Sequence, residues 1–130
     1  MASSSVTLYK SNAATVVFSL VSSSVDKTVW KVAGRALSNP FTLELTRKLA
    51  SGTKNDHIVV RLARVEPNAT TAQKATAQVL VDISVPKDQS VLTAAIISEL
   101  CGLLSSALND GTALAATSAN RDAIADGRDI

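Results

Sequence analysis

Between Ala75 and Leu108 the sequence changes its hydrophobic period across a single proline, and that change limits what the chain can fold into. Ala77, Val79, Val81, Ile83 and Val85 alternate with Gln78, Asp82 and Ser84, the period of a strand with one buried face. Pro86 ends the run, because proline cannot donate to a sheet ladder. After Lys87 and Asp88 comes an almost charge-free helical pattern from Val91 to Leu108. Val91, Leu92, Ala95, Ile96, Leu100, Leu103 and Ala107 form one stripe, and Ile97, Cys101, Leu104 and Leu108 widen it. Only Ser98, Glu99, Gly102, Ser105, Ser106 and Asn109 are left for water. A surface helix carries a narrower apolar face than this. The expectation is a helix buried twice, on its own sheet and on a partner chain, with Leu92, Ile96, Leu100, Leu103 and Leu104 in the shared core. Asp88 or Ser90 is expected to cap its start, and Asn109-Asp110-Gly111 to end it.

The rest of the chain reads mostly as strands. Ser5–Lys10 and Thr15–Val21 are short β-rich runs split by Ser11-Asn12-Ala13-Ala14, which predicts a first hairpin over 5–21. Thr28–Val32 is a third strand and carries the single tryptophan, Trp30, with Lys27, Val29 and Lys31 at alternate positions. Phe41, Leu43 and Leu45 alternate with Thr42, Glu44, Thr46 and Lys48. After the polar turn Ser51–Asp56, Ile58, Val60 and Leu62 alternate with His57, Val59, Arg61 and Ala63. Consecutive strands with short loops pair antiparallel. The predicted architecture is a single α+β domain over 1–130: an N-terminal hairpin, an antiparallel meander over 28–85, two C-terminal helices over 88–119 on one sheet face, and a polar tail over 120–130. The other face is left open, hydroxyl-rich and cationic, and shows Thr42, Thr46, Lys48, His57, Arg61, Gln78 and Ser84.

At 130 residues the chain is long enough for one real core. The one cysteine excludes an internal disulfide framework and, lying on the apolar helix, is expected to be buried. No N-terminal stretch has the form of a signal peptide, and the apolar region near Ala94–Leu104 is too short for a bilayer. A soluble, intracellular product without a membrane partner is expected. Net charge is +2, unevenly spread: from Lys27 to Lys74 there are nine Lys or Arg against Glu44, Asp56 and Glu66, a local +6. A basic, strand-built middle suits a polyanion-facing surface; an ordinary solvated face is the alternative.

Little supports catalysis. There is one histidine, no glycine-rich phosphate loop and no His/Cys metal spacing, so neither a cofactor nor a metal is expected. Glu44 and Asp82 are the only carboxylates projecting together on the open face, and a flat sheet of Thr, Lys and Gln around them is not a cleft. No enzymatic activity is expected.

The order of hairpin, tryptophan strand, meander and helix resembles the coat proteins of the single-stranded RNA bacteriophages, the leviviruses, over nearly the whole chain. Trp30, Phe41-Thr42-Leu43-Glu44-Leu45-Thr46, Ile58-Val59-Val60-Arg61-Leu62, Val81-Asp82-Ile83-Ser84-Val85-Pro86 and Leu108-Asn109-Asp110-Gly111 carry the resemblance. It implies an interlocked homodimer with one continuous sheet, the helices of each chain lying across the sheet of the other. It further implies an icosahedral shell of triangulation number three, found in the virion and assembled in the host cytoplasm. The open sheet face would line the interior against genomic RNA and bind an operator hairpin that represses translation. The implied RNA-facing positions are Lys27, Lys31, Thr42, Glu44, Thr46, Lys48, His57, Val59, Arg61, Gln78, Leu80 and Asp82. Lys48 and Arg61 suit phosphate, and Thr42 and Thr46 suit bases. Glu44, Gln78, Val59 and Leu80 depart from the family's usual residues, and the 66–73 connection is shorter than its usual loop. A non-viral dimeric module that binds RNA through the sheet face is the other reading.

Overall fold

In a computed structural model, which describes residues 3–9, 14–52, 54–88 and 90–108, the strands form one six-stranded sheet in sequential order, β1-β2-β3-β4-β5-β6. They are β1 (Ser5–Tyr9), β2 (Thr15–Ser23), β3 (Lys27–Val32), β4 (Phe41–Lys48), β5 (Asp56–Pro67) and β6 (Lys74–Val85), followed by helix α1 (Ala94–Leu108). The predicted first hairpin is continuous with the meander, because β2 pairs antiparallel with β3 through Phe18 opposite Val32 and Leu20 opposite Trp30. Between Leu20 and Ser22 the register shifts, leaving Val21 as the extra residue of a bulge. The turn at 11–13, the helix stop at 109–111, the second helix and the tail over 120–130 lie outside the described residues.

Apolar register holds the sheet together. Trp30 stands opposite Leu43, Leu43 opposite Leu62 and Leu45 opposite Val60. Phe18, Trp30 and Leu43 are the buried centre, with Val6, Leu8, Val16, Val32, Phe41, Leu45, Val60 and Leu62 packed round them. The Phe18 and Phe41 rings meet edge to face at 5.1 Å, a preferred aromatic geometry. The Trp30 indole N–H is not stranded by its burial, since it donates to the Ser3 carbonyl at 2.9 Å. Thr28 is fully buried, its hydroxyl 3.3 Å from that of Ser23.

Loops are tied by side chains. Arg35 donates from Nε to the Asn39 carbonyl and from Nη2 to the Val65 carbonyl and Glu66 Oε1, each at 2.8 Å, pinning the 33–40 connection to the end of β5. The 68–73 loop closes tightly: the Asn68 N–H donates to the Gln73 carbonyl at 2.6 Å, and Asn68 Oδ1 accepts from the N–H groups of Thr70 and Thr71. This closure holds Ala72 at φ 58°, a left-handed conformation that costs a non-glycine residue free energy.

The described residues fall into two compact units, one holding residues 3–8 and 16–87 and the other residues 9, 14, 15 and the helical segment from Asp88. Within the second, the helix starts later than its apolar pattern. Ala94 is its first residue, so Val91 and Leu92 precede it, and the Thr93 carbonyl accepts from the N–H groups of Ile96 and Ile97. The expected caps do not act: Asp88 Oδ1 instead accepts from the Ser90 N–H at 2.9 Å, closing a local turn three residues short of Thr93. Among the described residues, none of α1 is buried. Leu100 and Leu103 are each 59 % exposed, and Leu92 50 %. Cys101, expected to be buried, is exposed, as are Leu100 and Leu103 of the same apolar stripe. Among the described residues no helix is long and apolar enough to cross a membrane.

Two measurements check this reading. Ala72→Gly is expected to raise the free energy of unfolding by about 0.5–1 kcal/mol, after the unfolded-state entropy of glycine is offset, and so to move the urea midpoint upward. The second concerns acid. Asp56 is held below the ordinary carboxylate range by the Lys87 ammonium and then by the Ala50 N–H, and Glu66 by the guanidiniums of Arg64 and then Arg35. Both bind a proton less readily folded than unfolded, so their stabilisation is complete above the unfolded pKa, about 4, and is lost as the pH falls through the lower folded values. Thermal melts are expected to drop below about pH 4, and less steeply in Asp56→Asn.

Candidate nucleic-acid interface

Residues opposite one another in an antiparallel sheet share a face, so the register assigns every polar position directly. One row runs Ser19, Lys31, Thr42, Ala63 and Gln78 across β2 to β6. The next is Ser22, Val29, Glu44, Arg61 and Leu80, followed by Lys27, Thr46, Val59 and Asp82, and then by Lys48, His57 and Ser84. Every candidate RNA-facing position of the sequence analysis falls in this grid, on the face opposite the Trp30 and Leu43 core. The grid also contains Val29 and Ala63, which the candidate set lacked. Their alternate spacing with Lys27, Lys31 and Arg61 was the signal that places them there.

The charges on this face are not equivalent. Glu44, at 17 % side-chain exposure, lies between two cations, with Oε1 3.7 Å from Lys27 Nζ and Oε2 accepting from Arg61 Nη1 at 3.2 Å. Arg61 also donates from Nε to Gln78 Oε1 at 2.9 Å. His57 Nδ1 and Asp82 Oδ1 are 2.8 Å apart, a diagonal pair across β5 and β6. Lys31 and Lys48 make no side-chain hydrogen bond or ion pair among the described residues, and neither do Thr42 and Thr46. The two carboxylates considered for acid–base chemistry are thus committed elsewhere, Glu44 to Lys27 and Arg61 and Asp82 to the His57 imidazole, not to each other. Among the described residues no group of three or more His, Cys, Asp or Glu is placed to hold a metal.

Between the rows lies an open depression of about 450 Å³, lined by Val29, Lys31, Thr42, Glu44, Arg61 and Ala63 among others. Ala63, 7 % exposed, stands between the longer side chains of Thr42 and Gln78. The depression combines apolar walls with hydroxyl and cationic groups, the mix that receives an unpaired base beside its phosphate.

No protein-family model matches the sequence, and no curated protein matches it. Solved structures do match. A virus-like particle of bacteriophage AVE019 aligns at TM-score 0.78 and 16 % identity, covering 100 % of this chain and 99 % of that one. The bacteriophage EMS014 coat protein aligns at 0.69 and 16 %, with the same two coverages. An unassembled virus coat protein dimer, described as a bacteriophage RNA-binding dimer, aligns at 0.59 and 18 %, covering 97 % of this chain and 95 % of that one. These solved structures are of phage coat proteins and particles, and what this chain shares with them, despite the low identities, is the coat-protein fold of the single-stranded RNA bacteriophages.

Proposed function

We propose that the chain is a capsid subunit that dimerises and assembles into an icosahedral shell around single-stranded RNA, with the polar sheet face turned to the RNA. The observation that carries this is the uncovered apolar surface of α1, where Leu100, Leu103 and Leu104 stand at 44–59 % exposure. An apolar stripe of that width is stable in water only with a partner. The sheet has a matching deficiency. β6 is a 12-residue edge strand with Val79 and Leu80 more than half exposed and only Lys74 and Asp82 to discourage pairing. A second copy added antiparallel at this edge gives the continuous sheet of an interlocked dimer, and its helix covers the apolar face beside Val79, Val81 and Ile83. Ile96, Leu100, Leu103 and Leu104 then become the shared core, joined by Leu92 from the turn before the helix.

The sheet face supports the RNA half of the reading. Lys31 and Lys48 are available to phosphate, Thr42 and Thr46 to bases, and the depression over Ala63 to a base plane. With Glu44 and Gln78 in the central rows, packaging of RNA in general suits the face better than reading of one operator hairpin. The subunit would reside in the virion and assemble in the host cytoplasm, in a shell of triangulation number three.

The first test is expression of the full chain in bacteria, followed by electron microscopy and the absorbance ratio at nucleic-acid and protein wavelengths. Uniform RNA-containing particles are expected; dimers that bind RNA without forming particles would favour a sheet-face binding module. Leu100→Asp places a charge in the dimer core at a cost of several kcal/mol. It is expected to abolish soluble particles, and folded monomers would count against interlocking. Lys31→Ala with Lys48→Ala is expected to lower packaged RNA and flatten the salt dependence of binding, by about 0.7 in slope per lost single-strand phosphate contact.

A further inference from the structure

Glu44 is the most enclosed of the carboxylates on the polar face, 17 % exposed against 50 % for Asp82. It lies on β4, between β3 and β5, with Val29 and Arg61 directly opposite on either side. Each carboxylate oxygen holds one cation, Lys27 at 3.7 Å and Arg61 at 3.2 Å, and Gln78 takes a further donor of the same guanidinium at 2.9 Å. Partly exposed pairs of this kind add little to folding stability. Their effect on an incoming anion is larger, because the carboxylate satisfies two cations that would otherwise meet phosphate and repels the phosphate as well.

We propose that Glu44 is a brake on the affinity of this face for single-stranded RNA. It withholds Lys27 and Arg61 from phosphate and leaves the backbone contacts to Lys31 and Lys48. This rests on the RNA-facing reading above and adds a specific role to it: the carboxylate sets how tightly and how reversibly RNA is held. Replacing Glu44 by a neutral residue releases both cations at once. Replacing a carboxylate on the opposite face changes net charge equally and releases no cation on the polar face. Glu66, which pairs with Arg35 and Arg64, is that control.

The test uses full-length protein freed of nucleic acid and a fluorescent unstructured oligouridylate, with binding constants taken across a salt series. Glu44→Gln is expected to bind more tightly at low salt and to steepen the log–log salt slope by about 0.7 for each cation released. Glu66→Gln is expected to leave the slope at its starting value. If circular dichroism shows that Glu44→Gln has lost the sheet, Glu44→Thr, a strand-favouring neutral residue, carries the same comparison. An unchanged slope in a wild-type protein that does bind RNA would overturn the brake and leave the RNA-facing reading intact. Equal steepening by Glu66→Gln would also overturn it, by showing a general charge effect. No binding by either wild type or Glu44→Gln would remove the brake and the RNA-facing reading together.

Discussion

Strand register is the constraint on which the rest of this protein depends. Side chains alternate strictly across a sheet, so a slip of one residue exchanges its two faces. Here the apolar face resists any slip. Trp30 against Leu43, Leu43 against Leu62 and Leu45 against Val60 lose their packing if β4 moves by one, and Phe18 loses its edge-to-face contact with Phe41. The polar grid of Lys, Thr, Glu and Arg inherits its order from that core. Glu44 meets Arg61 across 17 positions of sequence because the neighbouring leucines and valines hold the same two strands in step. The polar face is in this sense written by residues on the opposite side of the sheet.

That dependence explains what was legible in advance. The alternations at Phe41–Lys48, His57–Ala63 and Ala77–Val85 state which residues share a face, so the strands and the membership of the polar face follow from sequence. Pairing within that face does not. Whether Arg61 is open to a ligand or clasped by Glu44 and Gln78 depends on register between strands, which no single run of residues encodes. The start of α1 was misread for a local reason: Val91 and Leu92 continue the apolar pattern without belonging to the helix, while Asp88 spends its carboxylate on the Ser90 N–H. Cys101 was misread because an apolar stripe announces burial without saying whether the cover comes from the same chain.

The turns add rigidity where the ladders stop. Asn68 organises the 68–73 loop with its backbone and its side-chain oxygen, and Arg35 spans three acceptors at the other connection on that side of the sheet. Each closes a loop by hydrogen bonds to backbone groups that would otherwise need water. The start of β4 and the end of β5 are thereby tied to the connections beside them.

The apolar bookkeeping of the described residues is uneven. Buried apolar side chains are confined to Phe18, Trp30, Leu43 and Ala63, all in the sheet, while α1 contributes none. Ordering a 15-residue helix costs conformational entropy that its exposed leucines do not offset. Helix propensity alone leaves a helix of this length marginal in water. On the proposed reading the missing burial is intermolecular, so folding of α1 and dimer formation are one event, and stability depends on protein concentration. The edge strand β6 supports the same conclusion by a separate route, since its outward backbone groups are satisfied either by water or by another strand. On that reading helix and edge become complete through a single partner of identical sequence, the simplest closed arrangement for two such surfaces.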